Sequence, residues 1–168
     1  GFVGLLLGGF TLLMAVYVHS VNPELAFRFA AMVLTNSLYR LRTSGEERIP
    51  SSGAALLVAN HVSFIDALFI SACTERKVYF MMHEDYYNLP LLHSFARWAR
   101  FIKVPAPQKP KQMQELFAKV RGLLEDGNIV CVFPEGGISS NGIMQGFKSS
   151  TRQLLPAEGG VPVIPVRL

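Results

Sequence analysis

The sequence predicts an α/β fold, a mostly parallel central sheet with flanking helices, preceded by an N-terminal membrane helix and an interfacial helix. Three observations predict it. From residue 54 onward, short apolar strand-like runs alternate with stretches of helical period. From Gly1 to Tyr17 the chain carries no charge and, apart from Thr11, no polar side chain. Polar residues collect where two apolar runs end, in "VANHVSFIDALF" (58–69) and "VCVFPEGGISSNG" (130–142).

The chain is 168 residues long, enough for one domain with a real core. Half of it is hydrophobic and only 17% is charged, an apolar balance that implies contact with lipid. The excess of 16 Lys and Arg over 12 Asp and Glu is modest. A net charge of +4 suits an anionic bilayer surface or a phosphorylated substrate. The dense basic and aromatic stripe of a nucleic-acid binder is missing. Cys73 and Cys131 lie in apolar segments without CxxC spacing and read as buried free thiols in a reducing compartment. "HEDYY" at 83–87 lacks the second histidine of HExxH, so no metal is expected, and no resident cofactor.

Residues 1–22 form the expected transmembrane helix, because about 20 apolar residues at ~1.5 Å rise cross a bilayer core. The basic start and small-residue cleavage site of a signal peptide are not visible. After Asn22-Pro23, residues 23–43 place Arg28, Thr35 and Arg42 at seven-residue steps, with Leu25, Phe29, Met32, Val33 and Leu41 mostly elsewhere round the wheel. That pattern predicts an amphipathic interfacial helix, an ordinary surface helix being the alternative. Arg28, Arg40 and Arg42 follow the apolar stretch, which puts the remainder on the cytoplasmic face, here of the cell inner membrane. "SGEERIPSSG" reads as the hinge into the main domain, 44–168. There, strands are expected near 54–59, 77–82, 101–104, 128–133 and 161–167. Helices are expected near 64–75, 88–99 and 111–126, with Gly127 as a C-cap. A chain starting at Gly1 and ending at Leu168 inside an apolar run is expected to be a fragment, truncated at its C-terminus.

Ser63 followed three residues later by Asp66 has the pattern of a capping box, which accounts for a helix start without chemistry. It leaves Asn60 and His61 unexplained. Both stand after "AALLVA", at the carboxyl end of an expected strand, where open α/β sheets bind ligands. Pro134, Glu135, Gly136 and Gly137 follow a second such strand. An imidazole and a carboxylate at the ends of two strands of one sheet point to a shared site.

"NHVSFID" and "FPEGG" resemble the first and third motifs of the glycerolipid acyltransferase family, NHxxxxD and FPEG, with His61 and Glu135 standing 74 residues apart. "NG" at 141–142, "FK" at 147–148 and "VPVIPV" at 161–166 continue the likeness, which covers roughly residues 35–168. The resemblance implies an O-acyltransferase of the lysophosphatidate acyltransferase kind. It takes a fatty acyl group from acyl-CoA or acyl carrier protein as a substrate, not a cofactor, and passes it to a lysophospholipid hydroxyl.

The chemistry agrees with that implication. Acyl transfer from a thioester to an alcohol needs a base, and the histidine side chain, with an ordinary pKa near ~6.5, suits the task at neutral pH. His61 takes that role, with Asp66 orienting its other ring nitrogen. No enzyme serine is required, because the substrate hydroxyl is the nucleophile, in keeping with the missing GxSxG elbow. Glu135 is expected to position the acceptor, and Gly136 and Gly137 to supply backbone donors. Asn60, Ser63, Phe133 and Pro134 complete the expected substrate site. Lys148, Lys103 and the "KPK" at 109–111 could meet phosphates; a solvated surface role is favoured for all but Lys148, which the motif match supports. His83 and His93 read as structural or surface residues, and Met81 and Met82 as core.

Two departures from the family pattern affect the acceptor. "RFIKVPAP" at 100–107 has Pro105-Ala106 where the family's second motif carries an arginine, and "FPEGGIS" stands where FPEGTRS is common. Both remove cations from the phosphate site. In this the chain resembles the acyltransferase domains of 2-acylglycerophosphoethanolamine acyltransferases, which can be fused to a lysophospholipid transporter whose final helix residues 1–22 would then be. The alternatives are a lysophosphatidate acyltransferase making phosphatidate, a thioester or ester hydrolase using His61 on water, and a lipid-binding module without turnover. Membrane phospholipids, the lysophospholipid acceptor and the acyl carrier are the expected partners.

Overall fold

The computed structural model describes residues 2–21, 29, 31–33, 35, 37, 39, 41–155 and 160–168. Five strands, β1 (Ala55–Ala59), β2 (Val78–His83), β3 (Ile102–Val104), β4 (Ile129–Val132) and β5 (Val163–Val166), form one sheet in the order β3-β2-β4-β1-β5. Every pairing is parallel. Each strand falls within a residue or two of an expected apolar run. Pro165 lies in β5 opposite Val58, and β5 is an edge strand, where a missing N–H costs no ladder bond.

Alternate residues of the strands feed two cores. Ala55, Leu57 and Ala59 pack with Phe80, Ile129 and Cys131 against Ala67 and Ile70 of helix α2 (Asp66–Ala72). Leu56, Val130, Val132 and Ile102 face the other way, onto Leu116, Phe117, Val120 and Leu124 of helix α5 (Pro110–Glu125). Because side chains alternate along a strand, these nearly continuous apolar runs are buried on both faces, as parallel sheets require. Two short helices that follow β2, α3 (Glu84–Tyr87) and α4 (Pro90–Trp98), complete the main domain. Helix α5 starts on Pro110 and ends as expected at Gly127, whose φ is +78°. The Gly127 and Asn128 N–H groups donate to the Leu124 and Leu123 carbonyls, a Schellman stop.

Helix α1 (Phe2–Val21) bears no Asp, Glu, Lys or Arg, and its described side chains are exposed all round. Among the described residues no helix is long and apolar enough to cross a membrane. Much of the expected interfacial helix, including Arg28 and Arg40, lies outside the described residues. Within it Thr35 corrects the expectation. Thr35 does not share a solvated stripe but is buried together with Ala31, four residues earlier, while Phe29, Met32 and Val33 are exposed. Its hydroxyl donates to the Met32 carbonyl (3.2 Å), which lets a threonine face the protein at little cost. Tyr39 then meets Phe69 of α2 edge-on, with ring centroids 5.3 Å apart.

Candidate active site

β1 and β4 are neighbours, with Val58 opposite Val132, and the chain leaves them toward opposite faces of the sheet. After β1 it enters α2, on the face of Leu57 and Cys131. After β4 it runs through a long loop to the 3₁₀ turn Ser149–Leu154, where Leu154 joins the opposite core. Diverging exits from adjacent parallel strands open a crevice at their carboxyl ends, the usual ligand position in such sheets. His61 and Glu135 each stand three residues beyond the paired Val58 and Val132, so the register itself brings them together.

The His61 Nδ1 lies 2.8 Å from Asp66 Oδ2. Asp66 is completely buried, whereas the His61 side chain keeps 21% of its surface exposed. The same Asp66 oxygen accepts from the Val62 and Ser63 N–H groups at 2.8 and 2.9 Å, so the loop is wound around the carboxylate. Asp66 Oδ1 is buried without a hydrogen-bond partner among the described residues. An anion supported on one side only is costly to bury, and such costs gather at functional sites. Phe133 stacks on the other side of the imidazole, centroids 4.1 Å apart. Among the described residues nothing bonds to His61 Nε2.

Glu135 is buried, and its two oxygens are occupied by backbone. Oε1 accepts from the His61 N–H (2.9 Å) and Oε2 from the Gln145 N–H (3.0 Å). The Gly136 N–H closes a turn onto the Phe133 carbonyl, so of the two glycines expected to offer donors this one is engaged within the protein. Gly136 has φ +72°, and a Cβ there would collide with the Lys148 ammonium. Lys148 is thus drawn over the FPEGG turn, its N–H donating to the Pro134 carbonyl at 2.9 Å. Gly137 is exposed, with open space where a Cβ would stand. Ser139, which the sequence reading passed over, donates its N–H to the His61 carbonyl at 2.8 Å. Its hydroxyl and the Ile143 N–H both bond to Asn141 Oδ1 in an Asx-type turn. The "SNG" at 140–142 was the legible part of this device.

Other expected site residues are occupied elsewhere. The Asn60 amide clips β1 to the end of β5, with Oδ1 accepting from the Leu168 N–H (2.7 Å) and Nδ2 donating to the Leu168 carbonyl (3.3 Å). Ser63 does not complete the capping box, since its hydroxyl accepts from the Ile65 N–H at 3.4 Å and Ile65 is the N-cap of α2. Lys103 is not brought to His61. It lies on β3, three strands from β1 and hence roughly 14 Å away across the sheet. Its ammonium donates to Asn88 Oδ1 at 3.1 Å.

A third buried carboxylate, Glu84, follows β2. It pairs with Lys109 (2.7 Å) and accepts from the Ala106 N–H (3.1 Å), fastening the loop after β3. The Lys109 hydrogen bond, then that of Ala106, holds the Glu84 carboxyl below its ordinary pKa. Burial pushes the Cys131 thiol well above its usual range, with the Asp66 charge adding to it. No cluster of three or more metal-ligating side chains forms among the described residues.

The acyltransferase family profile matches residues 40–168. The chain belongs to the acyltransferase family. It is 27% identical over 163 residues to a chloroplastic 1-acyl-sn-glycerol-3-phosphate acyltransferase of Arabidopsis thaliana, covering 95% of this chain and 44% of that protein. A chloroplastic protein of Brassica napus bearing the same enzyme name is 28% identical over 134 residues, 77% of this chain and 37% of its own. This acyltransferase-family chain therefore spans less than half the length of these two curated relatives. The crystal structure of the 1-acyl-sn-glycerophosphate acyltransferase PlsC from Thermotoga maritima shares the fold, with a TM-score of 0.63 over 89% of this chain and 61% of that one, at 19% identity.

Proposed function

We propose that the protein is a membrane-associated O-acyltransferase that moves a fatty acyl group from an acyl thioester, acyl-CoA or acyl carrier protein, to the free hydroxyl of a lysophospholipid. The observation that carries this reading is the His61–Asp66 pair at 2.8 Å, with the ring partly open to solvent. Nε2 takes the proton of the acceptor hydroxyl as its oxygen attacks the thioester carbonyl carbon. The tetrahedral intermediate collapses with cleavage of the C–S bond, and the imidazolium returns the proton to the departing thiolate. Asp66, charged and dry, favours the imidazolium between these steps and fixes the tautomer that bares Nε2.

For the acceptor, the enzyme names of the plant relatives favour lysophosphatidate. The cation inventory favours a phosphodiester such as lysophosphatidylethanolamine. A phosphomonoester is nearly a dianion and calls for bidentate arginine contacts. In this chain Pro105-Ala106 and Gly137-Ile138 occupy the two positions where the family resemblance leads one to expect arginine. Lys109, in the first of these loops, is paired with Glu84, and Lys103 lies across the sheet. Lys148 is the cation drawn to the FPEGG turn, enough for one phosphate charge. The test is kcat/KM for lysophosphatidylethanolamine against lysophosphatidate in matched mixed micelles, with acyl-CoA and acyl carrier protein donors. A higher value for lysophosphatidylethanolamine is expected; a higher value for lysophosphatidate overturns the acceptor assignment and leaves the acyl transfer standing.

The exposed, uncharged surface of α1 supports burial in lipid, since each large apolar side chain gains about 1.5–3 kcal/mol on leaving water. The reading places α1 in the bilayer, as the end of a transporter domain or as an anchor, and the catalytic domain on the cytoplasmic face of the inner membrane.

A further inference from the structure

We infer that Glu135 is a positioning residue that holds the backbone of His61 and ties it to the apolar loop at 143–147, rather than a contact for the acceptor. The inference rests on the acyl-transfer reading above and deepens it.

Only 6% of Glu135 is exposed, and each of its oxygens already meets a backbone N–H, of His61 on one side and of Gln145 on the other. A buried carboxylate that accepts two backbone amides fixes both donors, because charge-assisted hydrogen bonds are the stronger kind. No ion pair to Glu135 forms among the described residues. The groups around His61 then restrain it at four points. Its N–H is held by Glu135, its carbonyl by the Ser139 N–H, its Nδ1 by Asp66 and its ring face by Phe133. Three of these four come from the strand and loop of residues 129–142, so the base is aligned chiefly by the β4 side of the crevice.

The second oxygen gives the carboxylate reach. Gln145 lies between Met144 and Phe147, which with Ile143 are exposed at 62, 55 and 66%. Large apolar side chains bared on a loop beside the proposed base fit the acyl chain of a lipid substrate. Through Glu135 the seat of that loop and the peptide of His61 share one anchor, so a displacement of one is felt by the other.

The test is steady-state kinetics of Glu135→Gln and Gln145→Pro in the full chain, with site-resolved carbethoxylation of histidines as a readout independent of turnover. Glutamine keeps the shape but offers one acceptor oxygen, leaving an NH₂ against an amide donor. The expected result is a fall in kcat of about tenfold or more, with the KM for lysophospholipid changed less than about threefold. His61 is modified faster, while His83 and His93 keep their rates. Gln145→Pro, which removes the N–H that Glu135 Oε2 accepts and also fixes φ at this exposed position, reproduces part of the kcat loss with faster His61 modification, and carries the test if Glu135→Gln does not fold. A tenfold rise in acceptor KM at unchanged kcat, with unchanged His61 reactivity, overturns the inference and makes Glu135 an acceptor contact. A wild-type chain that binds lysophospholipid without turnover refutes the acyl-transfer reading instead, and the His61 reactivity still decides the positioning role.

Discussion

The ring of Phe133 lies against the imidazole of His61 with centroids 4.1 Å apart and planes 18° from parallel, so the residue before the Pro-Glu-Gly turn forms a wall for the second residue beyond β1. A stacked ring blocks one face of the imidazole and leaves its Nε2 edge open. Phe133→Leu keeps an apolar side chain but loses the flat contact, worth about 0.5–1.5 kcal/mol in such pairs. The expected outcome is a kcat lowered about 2–10-fold with little change in KM, read from steady-state acyl transfer. A change confined to KM would mean that Phe133 contacts substrate instead.

His61→Ala is expected to lower acyl transfer about 10²–10⁴-fold, the usual weight of a general base. Asp66→Asn should cost less. An asparagine oxygen at the Oδ2 position still accepts from His61, Val62 and Ser63, so the loop keeps its winding while the charge that favours the imidazolium is lost. Circular dichroism of both variants beside single-turnover rates makes the comparison, and a folded His61→Ala protein with near-normal turnover removes the base assignment.

Gly136→Ala meets two obstacles at once, a left-handed φ of +72° and the Lys148 side chain in the space of the new methyl group. The backbone part alone costs about 1–2 kcal/mol. Thermal melting should show the loss of stability. Displacement of Lys148 should raise the KM for lysophospholipid acceptors, which a pure stability defect would not do.

Glu84 sets a pH limit on stability. Its folded pKa lies below the ordinary value of 4.5, chiefly through Lys109 and then through the Ala106 N–H. The folded state therefore binds the proton less readily than the unfolded chain. The contribution is fully present above the unfolded value and is lost as pH falls through the folded one. Denaturant midpoints taken from pH 7 to pH 3 should fall less steeply below pH 5 for Glu84→Gln than for wild type. Parallel curves would show that the pair carries no linkage.

Membrane attachment is expected to resist high salt, because burial of apolar surface does not depend on ionic strength whereas surface charge is screened. Deleting residues 1–22 should weaken sedimentation with anionic vesicles without abolishing it, since Phe29, Met32 and Val33 remain exposed. A full chain that stays in the supernatant without detergent would remove α1 from the bilayer.

The sequence by itself determined the elements and the chemistry of the proposed base. Short apolar runs alternating with stretches of helical period point to strands of a covered parallel sheet, and Gly127 after an amphipathic stretch points to a helix stop, so both were legible locally. His61 and Asp66 were legible too, because five residues of one loop suffice to bring an imidazole to a carboxylate. Only the tertiary structure decided what depends on strand order. With β4 inserted between β2 and β1, Phe133 and Glu135 come beside His61, while Lys103 on β3 is carried away from it. Only it decided that Asn60 clips Leu168 and that Glu135 spends both oxygens on backbone amides, for these partners lie 108, 74 and 10 residues away in the chain. A polar side chain at a strand end reads the same whether it awaits a substrate or a distant N–H. Burial settles which, and burial belongs to the assembled sheet rather than to any segment of it.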